Sequence, residues 1–486
     1  MVMESRSRWI ALIVLCMGSL MIVLDTTIVN VALPSIKTSL HFSGTSLAWV
    51  VNAYLLTFGG FLLLGGRLGD LYGHRRLFLI GITLFTLASL SCGLADSEAF
   101  LVTARAVQGL GGAITSAVAL SLIMTLFTDP VERAKAMGVF GFVASGGGTV
   151  GVLLGGVLTD VLNWHWIFLV NVPIGVAVFV ASLRVLPTAA RPASPGRLDV
   201  AGAFVVTASL MLAVYAIVNG NQWGWASARM IALLLAAAAL MGVFVAIEAR
   251  VRSPLMPLGL FRLRNLSTAN GIGVLWAAAM FAWFFLTALY LHNVLGYSPL
   301  DVGLAFAPTS VIMGVFSLGL SAKLVMRFGI RRPLVAGLLL ATAGLVLFVR
   351  APVGGSFSVD VLPSMVLLGV GAGMAFNPLL LAAMGDVAAD EAGLASGVVN
   401  TAFMMGGALG LAVLASLAAR RTQSLQASGE SLKAALTGGY HLAYLVGAAF
   451  ALAGALLGAL VLREGAPLEA HPPEEPAGEP VYVESD

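Results

Sequence analysis

The chain has 486 residues, of which 59% are hydrophobic and only 10% are charged. A soluble domain carries about 25% charged residues, so this composition excludes a soluble globular protein and indicates an integral membrane protein. The formal net charge of +3 says little, because the placement of the charges matters more than their sum, and we expect no nucleic acid partner.

Apolar segments long enough to cross a bilayer recur along the whole chain. A span needs roughly 20 apolar residues at a rise of about 1.5 Å per residue. The sequence predicts fourteen spans, at about 9–33, 47–66, 77–95, 100–127, 136–158, 165–186, 198–219, 227–247, 266–291, 302–323, 334–350, 361–384, 394–418 and 439–462. The first is read as an uncleaved helix, because its apolar stretch continues without a small-residue cleavage pattern.

The distribution of basic residues predicts the orientation. One set of alternating connections, together with both chain ends, holds 19 of the 26 Lys and Arg residues. Basic residues favour the cytoplasmic side, so we expect a multi-pass protein of the cell membrane with both termini cytoplasmic. Residues 463–486 hold seven acidic residues and five prolines, which predicts a disordered acidic tail in the cytoplasm.

Two stretches of the sequence recur at nearly the same offset. GGRLGDLYGHRR at 65–76 aligns with SAKLVMRFGIRR at 321–332, and four glycines within 138–151 align with four within 397–410. Repeated halves are typical of secondary transporters, which bind substrate between them near the midplane. We therefore predict an all-α membrane protein with two six-helix halves, 1–187 and 266–462, and two inserted spans with their linkers at 188–265.

The connection after span 2, GGRLGDLYGHRRLFLIG at 65–81, contains more than a plain turn needs. We expect Gly66 and Gly69 to let the helix end approach a neighbour, and Gly73 to allow a tight reversal. Asp70 can accept hydrogen bonds from a helix N-terminus or from an arginine. Arg75 and Arg76 hold the loop at the cytoplasmic side. A turn that only sets topology is the alternative, and it explains the arginines but not the acid.

This segment resembles the signature loop of the major facilitator superfamily. Three further stretches are similar to motifs of its fourteen-span drug:proton antiporter branch, namely LDTTIVNVALP at 24–34, LVTARAVQGLGGAI at 101–114 and GGGTVGVLLGGVL at 146–158. The third resembles the glycine-rich antiporter motif, although Val152 stands where the family usually has proline. It implies a role for Gly147, Gly151, Gly155 and Gly156. The resemblance implies a monomeric, proton-coupled exporter of lipophilic or cationic drugs.

Two charged residues lie inside predicted spans and away from the span ends. Asp25 in span 1 and Arg105 in span 4 are predicted to lie at depths that agree within about 3 Å. An isolated carboxylate at such depth costs several kcal/mol, so it must pair, take up a proton or face water. The resemblance implies that both spans line the central cavity, and that Asp25 is the proton and cation site tuned by Arg105. A permanent ion pair that only locks two helices is the alternative.

Polar and aromatic residues in other spans are candidates for the substrate cavity. Aromatic faces suit flat, lipophilic or cationic compounds, and methionine offers an adaptable surface. Some of these side chains can equally hydrogen-bond neighbouring helices. The candidates are Asn30, Asn52, Tyr54, Gln108, Trp276, Trp283, Phe284, Asn400 and Met404.

Other functions fit the sequence less well. A proton symporter for a small metabolite stays open, because Val152 permits it. A polytopic membrane enzyme is disfavoured, because the sequence shows neither a metal-type histidine spacing nor a Ser/His/Asp grouping. A transporter-like sensor would need a sizeable soluble output domain, and the predicted tail at 463–486 is too short to form one. There is no phosphate-cradling loop, so we do not expect ATP to drive transport. We also expect neither a cofactor nor a metal.

Overall fold

The computed structural model describes residues 5–43, 45–187, 199–251, 254–256, 258–387 and 392–463, and these residues contain helices but no β-strand. The first helices are α1 (Ser5–Ser39), α2 (Trp49–Tyr72), α3 (His74–Gly93), α4 (Glu98–Leu126), α5 (Pro130–Val161), α6 (Trp166–Leu169) and α7 (Asn171–Val185). They are followed by α8 (Val200–Trp223) and α9 (Ala228–Glu248). The last are α10 (Arg264–Asn293), α11 (Pro299–Val315), α12 (Ser321–Phe328), α13 (Arg331–Phe348), α14 (Leu362–Met384), α15 (Ala392–Ala427) and α16 (Leu432–Leu460). The predicted acidic tail, from 464 onward, lies outside the described residues.

Within the described ranges, 12 helices are long and apolar enough to cross a membrane, so the chain is a multi-span membrane protein. Two shorter apolar helices, Val150–Val161 and Pro299–Val315, fall in predicted spans 5 and 10. The first is the end of α5, and the second continues through a π-helical turn at Phe316–Leu320 into α12. This turn was not predicted, and it contains Gly319 with a φ of 135°. Predicted span 6 corresponds to α6 and α7 together, while α1 and α15 run further than their apolar stretches into polar sequence.

The two repeated segments of the sequence have the same backbone reversal. Gly73 has a φ of 93° between α2 and α3, and Gly329 has a φ of 76° between α12 and α13. The positive φ at both positions favours glycine, which has no Cβ to oppose it. The tight reversal predicted at Gly73 is therefore present, and it recurs at the equivalent place in the second segment.

Helices α1–α7 pack mainly with one another, and so do α10–α16. The two groups meet where α2 contacts α15 and where α5 contacts α11. Helix α8 lies against both α2 and α15, with α9 packed on α8. Asn221 Nδ2 on α8 donates to the carbonyl oxygen of Ser416 on α15 at 2.8 Å, and Ser416 Oγ donates to the carbonyl oxygen of Ile217 at 3.1 Å. The helix pair α8–α9 is therefore attached to the region where the two groups meet.

Candidate functional site

A buried ion pair joins α1 to α4. Arg105 Nη1 donates to Asp25 Oδ2 at 2.5 Å, and the side chains are 2% and 0% exposed. The same Nη1 donates to Gln108 Oε1 at 2.7 Å, and Arg105 Nε donates to the carbonyl oxygen of Val50 at 3.0 Å. The two charges that the sequence placed at similar depth are in direct contact, and α2 supplies a further acceptor for the guanidinium.

The second carboxylate oxygen of Asp25 accepts from two side-chain amides. Gln108 Nε2 donates to Asp25 Oδ1 at 2.7 Å, and Asn171 Nδ2 donates to it at 3.3 Å. Both amides also donate to Ser89 Oγ at 3.1 Å, and that hydroxyl donates to the carbonyl oxygen of Phe168 at 2.9 Å. An ionised carboxylate only accepts hydrogen bonds, so this arrangement of donors matches the charged form of Asp25.

Aromatic rings enclose the guanidinium group of Arg105. Its Cζ lies 4.4 Å from the ring centroid of Tyr54 and 5.6 Å from that of Phe168. Such cation–π contacts are strongest where the cation is shielded from water, as it is here. Tyr54 was predicted to line the substrate cavity, but the structure places its ring beside the ion pair and leaves its hydroxyl without a hydrogen-bond partner.

The described partners of the ion pair all belong to the first helix group. The hydrogen bonds and ring contacts described for Asp25 and Arg105 come from α2, α4, α6 and α7. Amide and aromatic side chains of this group therefore surround and satisfy the pair. That spans 1 and 4 present both charges to the central cavity stays a prediction.

Two of the candidate cavity amides are used within their own helices. Asn30 Nδ2 donates to the carbonyl oxygen of Thr26 at 3.1 Å, and Asn400 Nδ2 donates to that of Ser396 at 3.0 Å. An amide that bonds the preceding turn of its helix keeps its oxygen for another donor. These two residues therefore stay candidates through their side-chain oxygens.

Three other candidates bury polar atoms without a protein partner. Both amide atoms of Asn52 and the indole nitrogens of Trp276 and Trp283 are buried and make no hydrogen bond. Buried polar groups are normally paired, so such atoms are available to a ligand or to water. Phe284 lies beside Trp283, with ring centroids 4.5 Å apart, and Met404 belongs to α15 where it meets α2. No hydrogen bond or ring contact among the described residues joins these five to the ion pair.

The glycines of the antiporter-like motif form two contact faces of α5. A Cβ at Gly147, Gly151 or Gly155 would lie 2.9 Å or less from an atom of α1, and a Cβ at Gly156 would lie 3.0 Å from Leu300 on α11. The missing side chains therefore let α5 pack closely against both helices. The atoms met on α1 belong to the turns around Asp25, at Leu20, Val23, Leu24, Thr27 and Ile28.

Replacing Gly151 by alanine is expected to force α5 away from α1, because the new Cβ would collide with Thr27 Oγ1 and lie 3.1 Å from the carbonyl oxygen of Leu24. Overpacking of this kind costs about 1–3 kcal/mol. Thermal unfolding of the purified protein measures it. The matched control is Gly148→Ala, whose Cβ would meet nothing closer than Thr27 Cγ2 at 3.9 Å. Equal unfolding temperatures for the two variants would refute the close contact.

At the helix end before the signature-like loop, the predicted close approach occurs at Gly69 and also at Gly65, but not at Gly66. A Cβ at Gly65 would lie 3.0 Å from Ile114 Cα, and one at Gly69 would lie 2.6 Å from Val118 Cγ1. A Cβ at Gly66 would meet only Ala117 Cβ, at 4.0 Å, which is an ordinary contact. Gly66 faces away from the closest approach because neighbouring positions on a helix point about 100° apart.

The loop itself is tied to the end of α7. Arg75 Nη2 donates to the carbonyl oxygen of Leu183 at 2.6 Å, whereas Arg76 is exposed. The side chain of Asp70 lies outside the described part of the structure, so its predicted hydrogen bonds stay a prediction.

Most of the chain matches one known protein family. Residues 15–411 match the family described as Major Facilitator Superfamily. The chain belongs to the major facilitator superfamily. A bacterial homologue of the human lysosomal transporter Spinster, crystallised in an inward-facing and unoccupied conformation, has a similar structure, with a TM-score of 0.65. The likeness covers 95% of this chain and 98% of that chain at 16% identity, so it shows the fold alone.

Relatives within the superfamily include antibiotic resistance and export proteins. The chain is 39% identical to the puromycin resistance protein pur8 of Streptomyces alboniger, over 93% of this chain and 90% of the relative. It is 39% identical to the cephamycin export protein CmcT of Amycolatopsis lactamdurans, over 83% of this chain and 84% of the relative. The lincomycin resistance protein of Streptomyces lincolnensis is 38% identical, over 85% of each chain. This chain is thus a superfamily transporter with relatives in antibiotic export and resistance.

Two members of the buried network in this superfamily transporter were not predicted from the sequence. Asn171 stands alone in the apolar stretch WIFLVNVPIG at 166–175, which is the same kind of isolation that drew attention to Asp25. The isolation of Asn171 in apolar sequence could therefore have indicated that it belongs to a buried polar site. Ser89, in LASLSCG at 87–93, has no signal that separates it from a serine used in packing.

Proposed function

We propose that this transporter exports lipophilic or cationic antibiotics from the cytoplasm in exchange for protons. The observation that carries the proposal is the buried Asp25–Arg105 pair, satisfied by two amides and located on the part of α1 that packs against the glycines of α5. The relatives named for puromycin, cephamycin and lincomycin support antibiotics as the substrate class.

Proton binding at Asp25 changes the balance of charge inside the first helix group. The ionised carboxylate neutralises Arg105, so a proton on Asp25 leaves a buried guanidinium without a counter-charge. An uncompensated buried charge costs several kcal/mol, which forces Arg105 or the helices around it to move. Protonation therefore favours a second arrangement of the helices. If the first helix group alternates between these two arrangements, Asp25 can bind a proton on one side of the membrane and release it on the other.

The helix contacts connect the proton site to the second group. Asp25 lies next to Leu24 and near Thr27, which meet Gly151 of α5. On another face of α5, Gly156 approaches Leu300 of α11. A displacement of α1 on protonation would thus be transmitted through α5 to the contact between the two groups, and the proton and the drug need not share one site.

We propose a drug site between the two groups that draws on Asn52, Trp276 and Met404. Trp283 and Phe284, whose rings pack on Phe306 of α11, would border this site from the second group. Its unpartnered amide and indole groups offer hydrogen bonds without a fixed charge, and its rings and thioether offer an adaptable apolar surface. The carboxylate of Asp25 is enclosed by its own partners in this conformation. Recognition by such a surface suits amphipathic compounds, and cations can bind to the aromatic faces.

The proposed topology has fourteen spans, arranged as halves 1–187 and 266–462 with two inserted spans at 188–265. Helix α5 begins at Pro130, and α11 continues through Phe316–Leu320 into α12, so both contain enough helix to complete spans 5 and 10. The basic connections support the proposal that both termini lie in the cytoplasm and that the protein belongs to the cell membrane. Because the contacts between the groups are made within one chain, we propose that a monomer transports.

The energy of one proton is sufficient for useful export. A charge moving through about 150 mV yields roughly 3.5 kcal/mol. Since about 1.4 kcal/mol corresponds to a tenfold ratio, this supports a drug gradient of several hundred-fold.

Inside-out membrane vesicles test the proposal. With an acidic lumen, vesicles that contain the protein are expected to accumulate labelled puromycin or lincomycin, and vesicles without it are not. Dissipating the pH gradient should release the drug. Accumulation that ignores the gradient would contradict proton coupling. Drug driven out of the lumen by the same gradient would indicate symport instead.

A further inference from the structure

Two carboxyl groups are buried at one end of the inserted helix pair. Asp199 is the residue before α8, and Glu248 is the last residue of α9; they are 4% and 3% exposed. Acidic residues at the ends of helices normally face water, so burial of both at the same place needs a structural explanation. They lie in a different helix pair from Asp25 and play no part in the ion pair described above.

One oxygen of each carboxyl group is fixed by backbone amides. Asp199 Oδ1 accepts from the amide of Gly202 at 2.8 Å and so caps α8. Glu248 Oε2 accepts from the amide of Met256 at 3.0 Å, and the backbone of Leu255 also bonds this carboxyl group. Leu255 and Met256 therefore lie against the end of α9 and hold the glutamate in place.

The remaining oxygens point at each other. Asp199 Oδ2 and Glu248 Oε1 are both buried and neither accepts a hydrogen bond from a protein donor. A Cβ at Gly202 would collide with Asp199 Oδ2 and lie 3.0 Å from Glu248 Oε1, so the glycine leaves the space that both oxygens share. The two side chains are within hydrogen-bonding reach of each other.

No described cation compensates the two acids. Glu248 and Asp199 face each other and the backbone amides named above, and no described Lys or Arg side chain hydrogen-bonds to either of them. Of the basic residues on the helices that pack against α8, Arg67 of α2 is exposed, and Arg420 and Arg421 of α15 are exposed near the opposite end of α8. Arg250 is exposed, and Arg252 lies outside the described residues. Two ionised carboxylates at this distance repel strongly, whereas a carboxylic acid and a carboxylate attract through one hydrogen bond.

We propose that Asp199 and Glu248 form a second proton-binding site, in which a proton on Glu248 is shared with Asp199 through one hydrogen bond and holds the ends of α8 and α9 together. The site is independent of the proposed drug export. Because α8 lies against α2 and α15, loss of this proton at high pH would loosen the helix pair beside the contact between the two groups.

The test uses the full-length protein in lipid vesicles. Infrared difference spectra between acidic and alkaline pH should contain a carbonyl band of a protonated carboxyl group that is lost in Glu248→Gln. The unfolding temperature of the wild type should fall as the pH rises, and that of Glu248→Gln should fall less, because its amide donates to Asp199 without a proton. Asp160→Asn, at an exposed acid, is the matched control and should keep both properties of the wild type.

A second variant keeps the proposal testable if Glu248→Gln does not fold. Asp199→Asn retains a side chain that caps a helix well, and its amide can donate to Glu248. It should lose the same infrared band. If the band survives in both variants, the shared proton is refuted. If Mg²⁺ or Ca²⁺ stabilises the alkaline wild type but not the variants, the pair binds a metal cation, and the proposal is likewise overturned.

Discussion

Arg105→Ala is expected to abolish export and to lower the free energy of unfolding by about 3–5 kcal/mol at neutral pH. The substitution leaves the buried carboxylate of Asp25 without its counter-charge and removes the donors to Gln108 and Val50. The loss of stability should shrink as the pH falls, because a protonated Asp25 no longer needs the arginine. Unfolding of the purified protein as a function of pH measures both effects.

The control for this variant is Arg421→Ala, at an exposed position on α15, which should change the unfolding free energy by no more than about 0.5 kcal/mol. A double-mutant cycle with Asp25→Asn isolates the pair. Arg105→Ala should cost less in the Asp25→Asn background than in the wild type. Equal costs in both backgrounds would mean that the arginine acts through packing alone.

Asp25→Asn is expected to lose at least an order of magnitude in drug accumulation driven by a pH gradient, while it still exchanges labelled for unlabelled drug. The asparagine imitates the protonated acid, and a protein that passes through a protonated state must tolerate it. Export against a gradient requires the proton to leave, and asparagine has none to release. Reconstituted vesicles allow both measurements on the same preparation.

The same variant separates a coupling site from a structural lock. If the ion pair only joined α1 to α4, Asp25→Asn would leave Arg105 buried without a partner and would destabilise the protein as much as Arg105→Ala does. Exchange would then be lost together with accumulation. Asp160→Asn, at an exposed acid near the end of α5, is the matched control and should leave accumulation and exchange unchanged.

The contact between Asp25 and Arg105 was predictable because both charges are isolated in apolar sequence, and the helical rise converts sequence position into depth. The direction in which the pair faces was not predictable. It depends on the rotation of α1 and α4 and on donors from distant helices, such as Asn171 of α7. The family resemblance implies a cavity-facing pair, and that orientation stays a prediction.

Helices α8 and α9 show a second limit of prediction from the sequence. Asp199 and Glu248 stand at span ends, where acidic residues are ordinary, and nothing in the sequence indicates that they meet. Their contact requires α8 and α9 to pack side by side and Leu255 and Met256 to lie against Glu248. The π-helical turn before α12 was not predictable either, because nothing in the sequence distinguishes Gly319 from the other glycines among the 56 in the chain.

Proton release on drug binding shows whether Asp25 couples the proton to the drug. Purified protein in a weakly buffered detergent solution is mixed with puromycin, and the released protons are counted against the bound drug. Linkage between the two ligands predicts that the wild type releases up to about one proton per bound molecule and that Asp25→Asn binds the drug and releases none. If Asp25→Asn released as many protons as the wild type, Asp25 would not be the coupling acid.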